Sequence, residues 1–238
     1  HAAILMADGT VRMVGANNYG QLGINDKVNR STPVPILGIS SQAVAVACGH
    51  TTTYILMADG TVLTCGNNRY GQCGQNNILT RSTLVAILGI SSQAIAIAAS
   101  RYSTLILMNN GTVMTCGSNQ YGQLGQNDLI TRSTVVAVVG ISSQAIAMAG
   151  GIGHIAILLS DGTIRSCGLN QFGNLGVNDV VTRSTIVTVL GVSSQAVAIA
   201  CSQHGIHVVL QNGNVLGCGI NNNGQIGNGD IVNRSTLV

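Results

Sequence analysis

The residues best suited to bind a partner lie in four short segments that differ from one another although the sequence around them is nearly repeated. These segments cover 49–52, 100–103, 151–154 and 202–205, and they carry His50, Arg101, Tyr102, His154 and His204. Aromatic and arginine side chains are the usual anchors of protein interfaces. Residues that packing fixes vary little between copies, so we predict that these five side chains form a binding site on loops. Drift at unconstrained positions is the alternative explanation of the same variation.

Five arginines recur at intervals of 51 residues, each opening an Arg-Ser-Thr triplet: Arg30, Arg81, Arg132, Arg183 and Arg234. An aspartate stands four residues before four of them, and Asn77 takes its place before Arg81. The planar guanidinium group donates hydrogen bonds to carboxylates, phosphates and carbonyl groups. We therefore predict that the five arginines are structural clamps within or between repeats. A polyanion site is the alternative.

Four of the seven cysteines share the same interval, namely Cys65, Cys116, Cys167 and Cys218. We predict that they are small buried hydrophobic residues, because a zinc site needs converging ligands such as a Cys-x2-Cys pair and the sequence has no such pair. Cys48 precedes Cys65 by the same spacing as Cys201 precedes Cys218. An intervening strand would hold such partners roughly 9.6 Å apart, which is beyond the reach of a disulfide within one sheet.

The composition argues against catalysis and against several kinds of partner. The chain has no glutamate, its seven aspartates lie in turns or beside arginines, and no Ser-His-Asp or Cys-His set stands out. We therefore predict no catalytic residue, no metal ligand and no cofactor, so that the protein is not an enzyme. Charged residues make up 7% of the chain and its net charge is +3 without a dense basic stripe, which argues against nucleic acid. The sequence contains no run of about 18 apolar residues, so it predicts no membrane-spanning helix.

Internal repetition organises the whole chain. Glycines keep the step of 51 residues without insertion or deletion, as in the series Gly9, Gly60, Gly111, Gly162 and Gly213. Residues 1–238 are therefore predicted to form a single repeat array whose fifth unit, 205–238, is incomplete.

Within one repeat the pattern predicts four antiparallel strands and no helix. Residues 43–47 alternate alanine with valine, 53–57 and 61–65 form a hairpin, and a short fourth strand covers 84–87. Asp59-Gly60 predicts a two-residue type I′ turn in that hairpin. A four-stranded sheet of about fifty residues has the length of a propeller blade, and small alanines suit an innermost strand. The predicted fold is therefore an all-β propeller of four-stranded antiparallel blades.

The run Asp59-Gly60-Thr61-Val62, followed by Cys65-Gly66-Asn67 and by Tyr70-Gly71-Gln72-Cys73-Gly74, resembles the signature of the regulator of chromosome condensation repeat. The resemblance covers the whole chain and implies a seven-bladed propeller, of which five repeats are visible here. The sequence departs from the family pattern where the aromatic residue before a glycine is replaced by Val14, Cys65, Cys116, Cys167 and Cys218. Only His1 and His154 match the family's loop histidine.

Two functions follow from this organisation. The first is a non-catalytic scaffold that binds a protein partner through its loop face. The second is a structural subunit of an extracellular fibre or sheath, a homo-oligomer or polymer of copies of the chain, because the last unit lacks the counterpart of 35–51 and a free strand edge invites pairing. Guanine-nucleotide exchange with chromatin binding, which the family's founding member implies, fits less well because the repeats have no insertions and few charges.

The predicted location of the protein is extracellular. Asn29-Arg30-Ser31, Asn110-Gly111-Thr112 and Asn233-Arg234-Ser235 match the acceptor pattern for glycosylation, and the composition is free of glutamate and poor in lysine. A cytoplasmic location is the alternative, because the family has intracellular members.

Overall fold

The computed structural model describes residues 1–39, 42–90, 93–141, 143–192 and 194–238. Within these ranges the chain forms eighteen strands and no helix, so the predicted all-β class is confirmed. The strands assemble into five antiparallel sheets. The chain divides into two compact units, and each is described by itself.

The first unit comprises His1–Asn109, Met114–Ser118 and Thr131–Val136. Its first sheet has the strand order β1 (Ala2–Leu5), β2 (Val11–Gly15) and β3 (Arg30–Pro35). The second sheet has the order β4 (Ala43–Cys48), β5 (Thr52–Met57), β6 (Val62–Gly66) and β7 (Arg81–Ala86). Most of the third sheet belongs here too, with the order β8 (Ala94–Ala99), β9 (Ser103–Met108), β10 (Val113–Gly117) and β11 (Arg132–Ala137).

The second unit comprises Asn110–Val113, Asn119–Ile130 and Ala137–Val238. Its four-stranded sheet has the order β12 (Ala145–Gly150), β13 (His154–Leu159), β14 (Ile164–Gly168) and β15 (Arg183–Thr188). The fifth sheet has the order β16 (Ala196–Ser202), β17 (Gly205–Leu210) and β18 (Val215–Gly219). Gly219 bridges to Arg234, and Gly217 and Val238 exchange two backbone hydrogen bonds, so the segment 234–238 lies where a fourth strand would.

Sequence repeat and sheet are offset by one strand. The incomplete fifth unit, 205–238, begins with β17, whereas its hydrogen-bonded neighbour β16 belongs to the preceding sequence repeat. The fourth strand also begins earlier than predicted: β7 starts at Arg81 and not at Leu84, because Arg81 pairs with Gly66 across a bulge. The Arg-Ser-Thr triplet is therefore part of a strand.

The hairpin turn differs from the predicted type I′ turn. The Gly60 N–H donates to the Met57 carbonyl and the Met57 N–H donates to the Thr61 carbonyl, both at 2.9 Å, so the loop contains three residues, Ala58, Asp59 and Gly60. Only Gly60 among them has a positive φ, of 82°. The connection is therefore a three-residue hairpin loop whose last residue is a left-handed glycine. The Asp59 carboxylate stabilises this loop by accepting the Thr61 N–H at 2.8 Å.

Successive sheets within the first unit meet through one repeated backbone contact. The N–H of Asn25 donates to the carbonyl of Ser82 at 2.9 Å, and that of Asn76 donates to Ser133 at 2.9 Å. Both asparagines are left-handed, with φ of 61° and 54°. A Cβ on Gly71 would lie 2.4 Å from the Cα of Ser133, so this junction requires a glycine.

The core lies between successive sheets. Apolar side chains of two neighbouring sheets interleave, and fully burying one such side chain stabilises the fold by about 1.5–3 kcal/mol. The clusters join Met13 to Ile55 in the first unit and Leu158 to Val208 in the second. The strands thus form a rigid support for the loops that connect them.

Candidate functional site

A buried asparagine holds the long connection that leads from the hairpin of each sheet to its last strand or, in the fifth sheet, to the segment 234–238. In the first sheet the Asn17 amide donates to the backbone oxygen and the carboxylate of Asp26 at 3.0 and 2.9 Å, and the Asn17 oxygen accepts the Leu22 N–H at 2.9 Å. The equivalent residues are Asn68, Asn119, Asn170 and Asn221. One side chain therefore satisfies three polar groups of an irregular segment. Sequence reasoning missed this residue, although its recurrence in phase with the glycines was an available signal.

The repeated arginine pairs with the aspartate of its own connection in the first, fourth and fifth repeats. Arg30 Nη2 and Arg183 Nη2 each lie 2.5 Å from a carboxylate oxygen, and Arg234 pairs with Asp230 in the same way. The Val28 N–H and, with it, the Arg30 guanidinium lower the pKa of Asp26. These pairs lie within one connection, which is one of the two arrangements predicted for clamps. Arg132 opens β11 at the equivalent position, and the structural role of the five arginines stays a prediction.

Arg81 is the exception. The Oδ1 atom of Asn77, which replaces the aspartate, accepts the Leu79 N–H at 3.0 Å, and its amide donates to the Gln75 carbonyl at 2.9 Å. The Nε atom of Arg81 is buried and has no hydrogen-bond partner among the described residues. The second connection thus keeps the turn of its counterparts but leaves its arginine without the usual carboxylate.

Three of the predicted binding residues come together in the first unit. The His50 ring meets the Tyr102 ring edge-on at 5.9 Å, and the Arg101 guanidinium lies 5.1 Å from the centre of the Tyr102 ring. The Tyr70 ring lies 5.1 Å from Tyr102, with the Arg69 guanidinium 5.2 Å from the Tyr70 ring. We call His50, Arg69, Tyr70, Arg101 and Tyr102 the aromatic–cation cluster. The sequence reasoning did not assign Arg69 or Tyr70 to a site.

The position of Tyr70 follows a rule that recurs in the second unit. The aromatic residue before the turn glycine lies against a loop residue of the following repeat, as Tyr70 does with Tyr102. Phe172 packs against His204 with ring centres 5.3 Å apart, and a Cβ on Gly153 would lie 2.7 Å from the Tyr121 ring. The aromatic residue of each such connection therefore supports a loop of the next sheet.

His154 does not fit the expectation of an exposed loop residue. It is the first residue of β13 and is fully buried, and its Nε2 atom lies 3.3 Å from the Gly205 carbonyl. Burial lowers the pKa of this imidazole to about 4, so His154 is neutral at physiological pH. A partner cannot reach a buried ring, and His204, which is partly exposed, is the better candidate for contact in the second unit.

The four repeated cysteines are buried thiols, as predicted, whereas Cys48 is exposed. Cys65, Cys116, Cys167 and Cys218 are fully buried, and all seven cysteines are free. Burial raises the pKa of the Cys116 thiol to about 12. Thr53 pairs with both Cys48 and Cys65 from the two sides of β5, which confirms that a strand separates these two cysteines.

The excess of positive charge lies in one stretch of the first unit. Between Asp59 and Asp128 the sequence contains Arg69, Arg81 and Arg101 but no acidic residue. The seven basic residues elsewhere equal the seven aspartates, so the net charge of +3 equals these three arginines. Two of them belong to the aromatic–cation cluster.

The described residues contain no group of three histidine, cysteine or acidic residues placed to bind a metal. No helix of the described chain is long and apolar enough to cross a membrane. A cavity of about 530 Å³ lies in the second unit beside the β13–β14 hairpin, lined by Gly162, Leu190 and Gln195 among others. It contains none of the predicted binding residues.

Comparison with known proteins agrees with the repeat pattern. The family described as regulator of chromosome condensation (RCC1) repeat matches residues 8–56 and 59–107, and a second family of the same description matches 43–72 and 94–123. The ultraviolet-B receptor UVR8 of Arabidopsis thaliana is 29% identical over 241 residues, which cover 99% of this chain and 54% of that protein. The chain thus spans about half the length of this curated relative.

Solved structures show the same fold. Human WBSCR16 superposes with a TM-score of 0.85 at 23% identity, covering 99% of this chain and 63% of that one. Yeast RCC1 (Prp20), in its complex with Kap60, has a TM-score of 0.85 at 19% identity, covering 99% and 58%. The predicted β-propeller of four-stranded antiparallel blades is therefore confirmed. Together, the in-phase motifs, the matched repeats and the propeller fold show that the chain belongs to the regulator of chromosome condensation repeat family.

Proposed function

We propose that the chain is a non-catalytic scaffold that binds a protein partner through the aromatic–cation cluster. The observation that carries the proposal is that the rings of His50, Tyr70 and Tyr102 pack against one another at the loop end of the strands, with Arg69 and Arg101 beside them.

The cluster has the properties of an interface anchor. His50, Arg69 and Arg101 are exposed, while both tyrosines are partly buried by their neighbours. Tyrosine and arginine are enriched among residues that dominate binding energy, and rings fixed before binding lose little entropy on binding. The loops stand on strands whose packing fixes their positions, which is how repeat scaffolds carry function.

The comparisons support a protein partner. Yeast RCC1 (Prp20), which shares the fold, is seen with Kap60 bound to it. The chemistry of the chain supports a role without catalysis, because the Cys116 and Cys167 thiols have a pKa raised to about 12 by burial and supply little thiolate. We also propose an extracellular location and assembly of copies by strand pairing; the oligomeric state of the purified protein tests the assembly.

Double substitution tests the proposal. Arg101→Ala with Tyr102→Ala removes one cation and the ring that contacts His50 and Tyr70. In affinity capture followed by mass spectrometry, we expect a partner recovered by the wild type to fall at least tenfold with this variant. Leu37→Ala and Arg12→Ala remove an exposed apolar side chain and an exposed cation of the first repeat that are not members of the cluster, and they serve as controls. Equal recovery by the double variant, or equal loss with the controls, would overturn the proposal.

A further inference from the structure

We propose that Arg81 is the centre of an anion-binding site that takes a carboxylate from an acidic peptide segment. The carboxylate binds the guanidinium group beside Asn77, whose side chain fills the place of the aspartate without supplying its charge. This inference rests on the proposed function, because the acidic segment belongs to the protein partner.

The other arginines show what Arg81 lacks. Arg30 Nη2 donates to the acid four residues earlier, and Arg30 Nη1 donates to the Val28 carbonyl at 2.7 Å. Arg183 makes the same two contacts, with Asp179 and Val181. Neither contact has a counterpart at Arg81 among the described residues, where Asn77 presents its amide to Gln75 and its oxygen to Leu79. The Nη groups of Arg81, which hold a carboxylate and a carbonyl in the counterparts, are therefore a donor set that an external carboxylate completes.

Neighbouring charge favours the same ligand. Gly66 pairs directly with Arg81, and Arg69 follows Gly66 by three residues, so the Cα atoms of Gly66 and Arg69 lie at most about 11 Å apart. The stretch from Asp59 to Asp128 that contains these arginines has no carboxylate of its own between its ends. The local field therefore attracts an anion, whereas the connections that hold Arg30, Arg183 and Arg234 are balanced by their aspartates.

Aliphatic side chains beside Arg81 can add to the binding of a peptide. Ile78 and Leu79 lie between Asn77 and Arg81 in the sequence and are 63% and 60% exposed, as are the equivalent residues of other repeats, so the missing carboxylate is what distinguishes this repeat. An inorganic anion has no apolar group to cover them, whereas an acidic segment with leucine between its glutamates covers both surfaces. The ligand class is therefore a peptide that presents a carboxylate beside an aliphatic side chain.

A substitution that supplies the missing carboxylate tests the inference. Asn77→Asp gives the second repeat the aspartate of its counterparts, which should occupy Arg81 from within. The probe is fluorescein-labelled acetyl-Leu-Glu-Glu-Leu-Glu-Glu-amide, titrated by fluorescence anisotropy, with glutamine in place of glutamate as the charge control. We expect Asn77→Asp to weaken binding of the glutamate peptide at least tenfold without lowering the melting temperature. Asn212→Asp, which adds the same charge at an exposed hairpin turn of another repeat, should leave the affinity within twofold of wild type.

Several results would overturn the inference. These are no binding of the glutamate peptide to the wild type, equal binding of the glutamine peptide, and binding by Asn77→Asp within twofold of wild type. Displacement by a single-stranded oligonucleotide at lower concentration than by unlabelled peptide would assign the site to nucleic acid instead. If Asn77→Asp keeps both peptide and partner while the Arg101/Tyr102 double variant loses the partner, the Arg81 site fails and the proposed function stands.

Discussion

Replacing the buried asparagine of one connection should destabilise the protein through a single unsatisfied amide. In Asn170→Ala the Leu175 N–H loses its acceptor at 2.8 Å in surroundings where Leu175 is fully buried. An unsatisfied buried donor costs about 1–3 kcal/mol, and the lost hydrogen bond to the Asp179 backbone oxygen adds about 1 kcal/mol. The Asp179 carboxylate is exposed and regains water, so we add nothing for it. The expected loss is about 2–4 kcal/mol.

Two measurements test this value. Chemical denaturation gives the loss of stability, and the melting temperature should fall by about 4–16 °C, at about 2–4 °C per kcal/mol for a chain of this length. Hydrogen exchange of the Leu175 amide should accelerate more than that of the β13 amides. The exposed Asn222→Ala is the control and should change stability by less than about 0.5 kcal/mol. A loss below about 1 kcal/mol in Asn170→Ala, or unchanged protection of Leu175, would refute the reasoning.

Three further predictions follow from the electrostatics. Arg183→Ala should lower stability by about 0.2–1 kcal/mol without lowering partner affinity, because its pair with Asp179 is partly exposed; a loss of binding at unchanged melting temperature would make the residue functional. Burial lowers the pKa of His154 to about 4, so the unfolded chain takes up a proton first and stability should fall as the pH drops from about 6.5 to about 4, as followed by urea denaturation. His154→Thr should flatten that slope, and an unchanged slope would contradict it. Burial raises the pKa of Cys116 to about 12, so the unfolded chain loses its proton first and stability should fall as the pH rises above about 9. The folded Cys116 thiol should also resist alkylation until denaturant is added, as peptide mapping would show.

The sequence predicts those parts of the fold that depend on local pattern. Alternation and the exact repeat length identify the strands, because both reflect contacts repeated in each copy. The turn at Gly60 was misassigned because an Asp-Gly pair is compatible with a two-residue loop and with a three-residue loop. Only the hydrogen bond between Met57 and Thr61 distinguishes them.

The candidate site was only partly predictable because its members meet in three dimensions. The variable loops identified His50 and Tyr102, yet Tyr70 joins them from the connection of the preceding repeat. His154 varies like a loop residue but begins a strand, where its ring points into the protein. The sequence showed that Asn77 replaces an acid, but whether Arg81 finds another acceptor depends on side-chain packing.

The junction between sheets constrains how such a chain can change in length. In both units the left-handed asparagine donates to the serine of a later Arg-Ser-Thr triplet, as Asn25 does to Ser82 and Asn178 does to Ser235 at 2.7 Å. These bonds use backbone atoms, so they do not depend on the loop side chains. A duplication or deletion of one whole repeat rebuilds the same bond with a new partner, whereas recombination out of phase with the repeat separates the asparagine from its serine. Recombination between copies should therefore preserve the fold when it exchanges whole repeats, while each loop remains free to evolve separately.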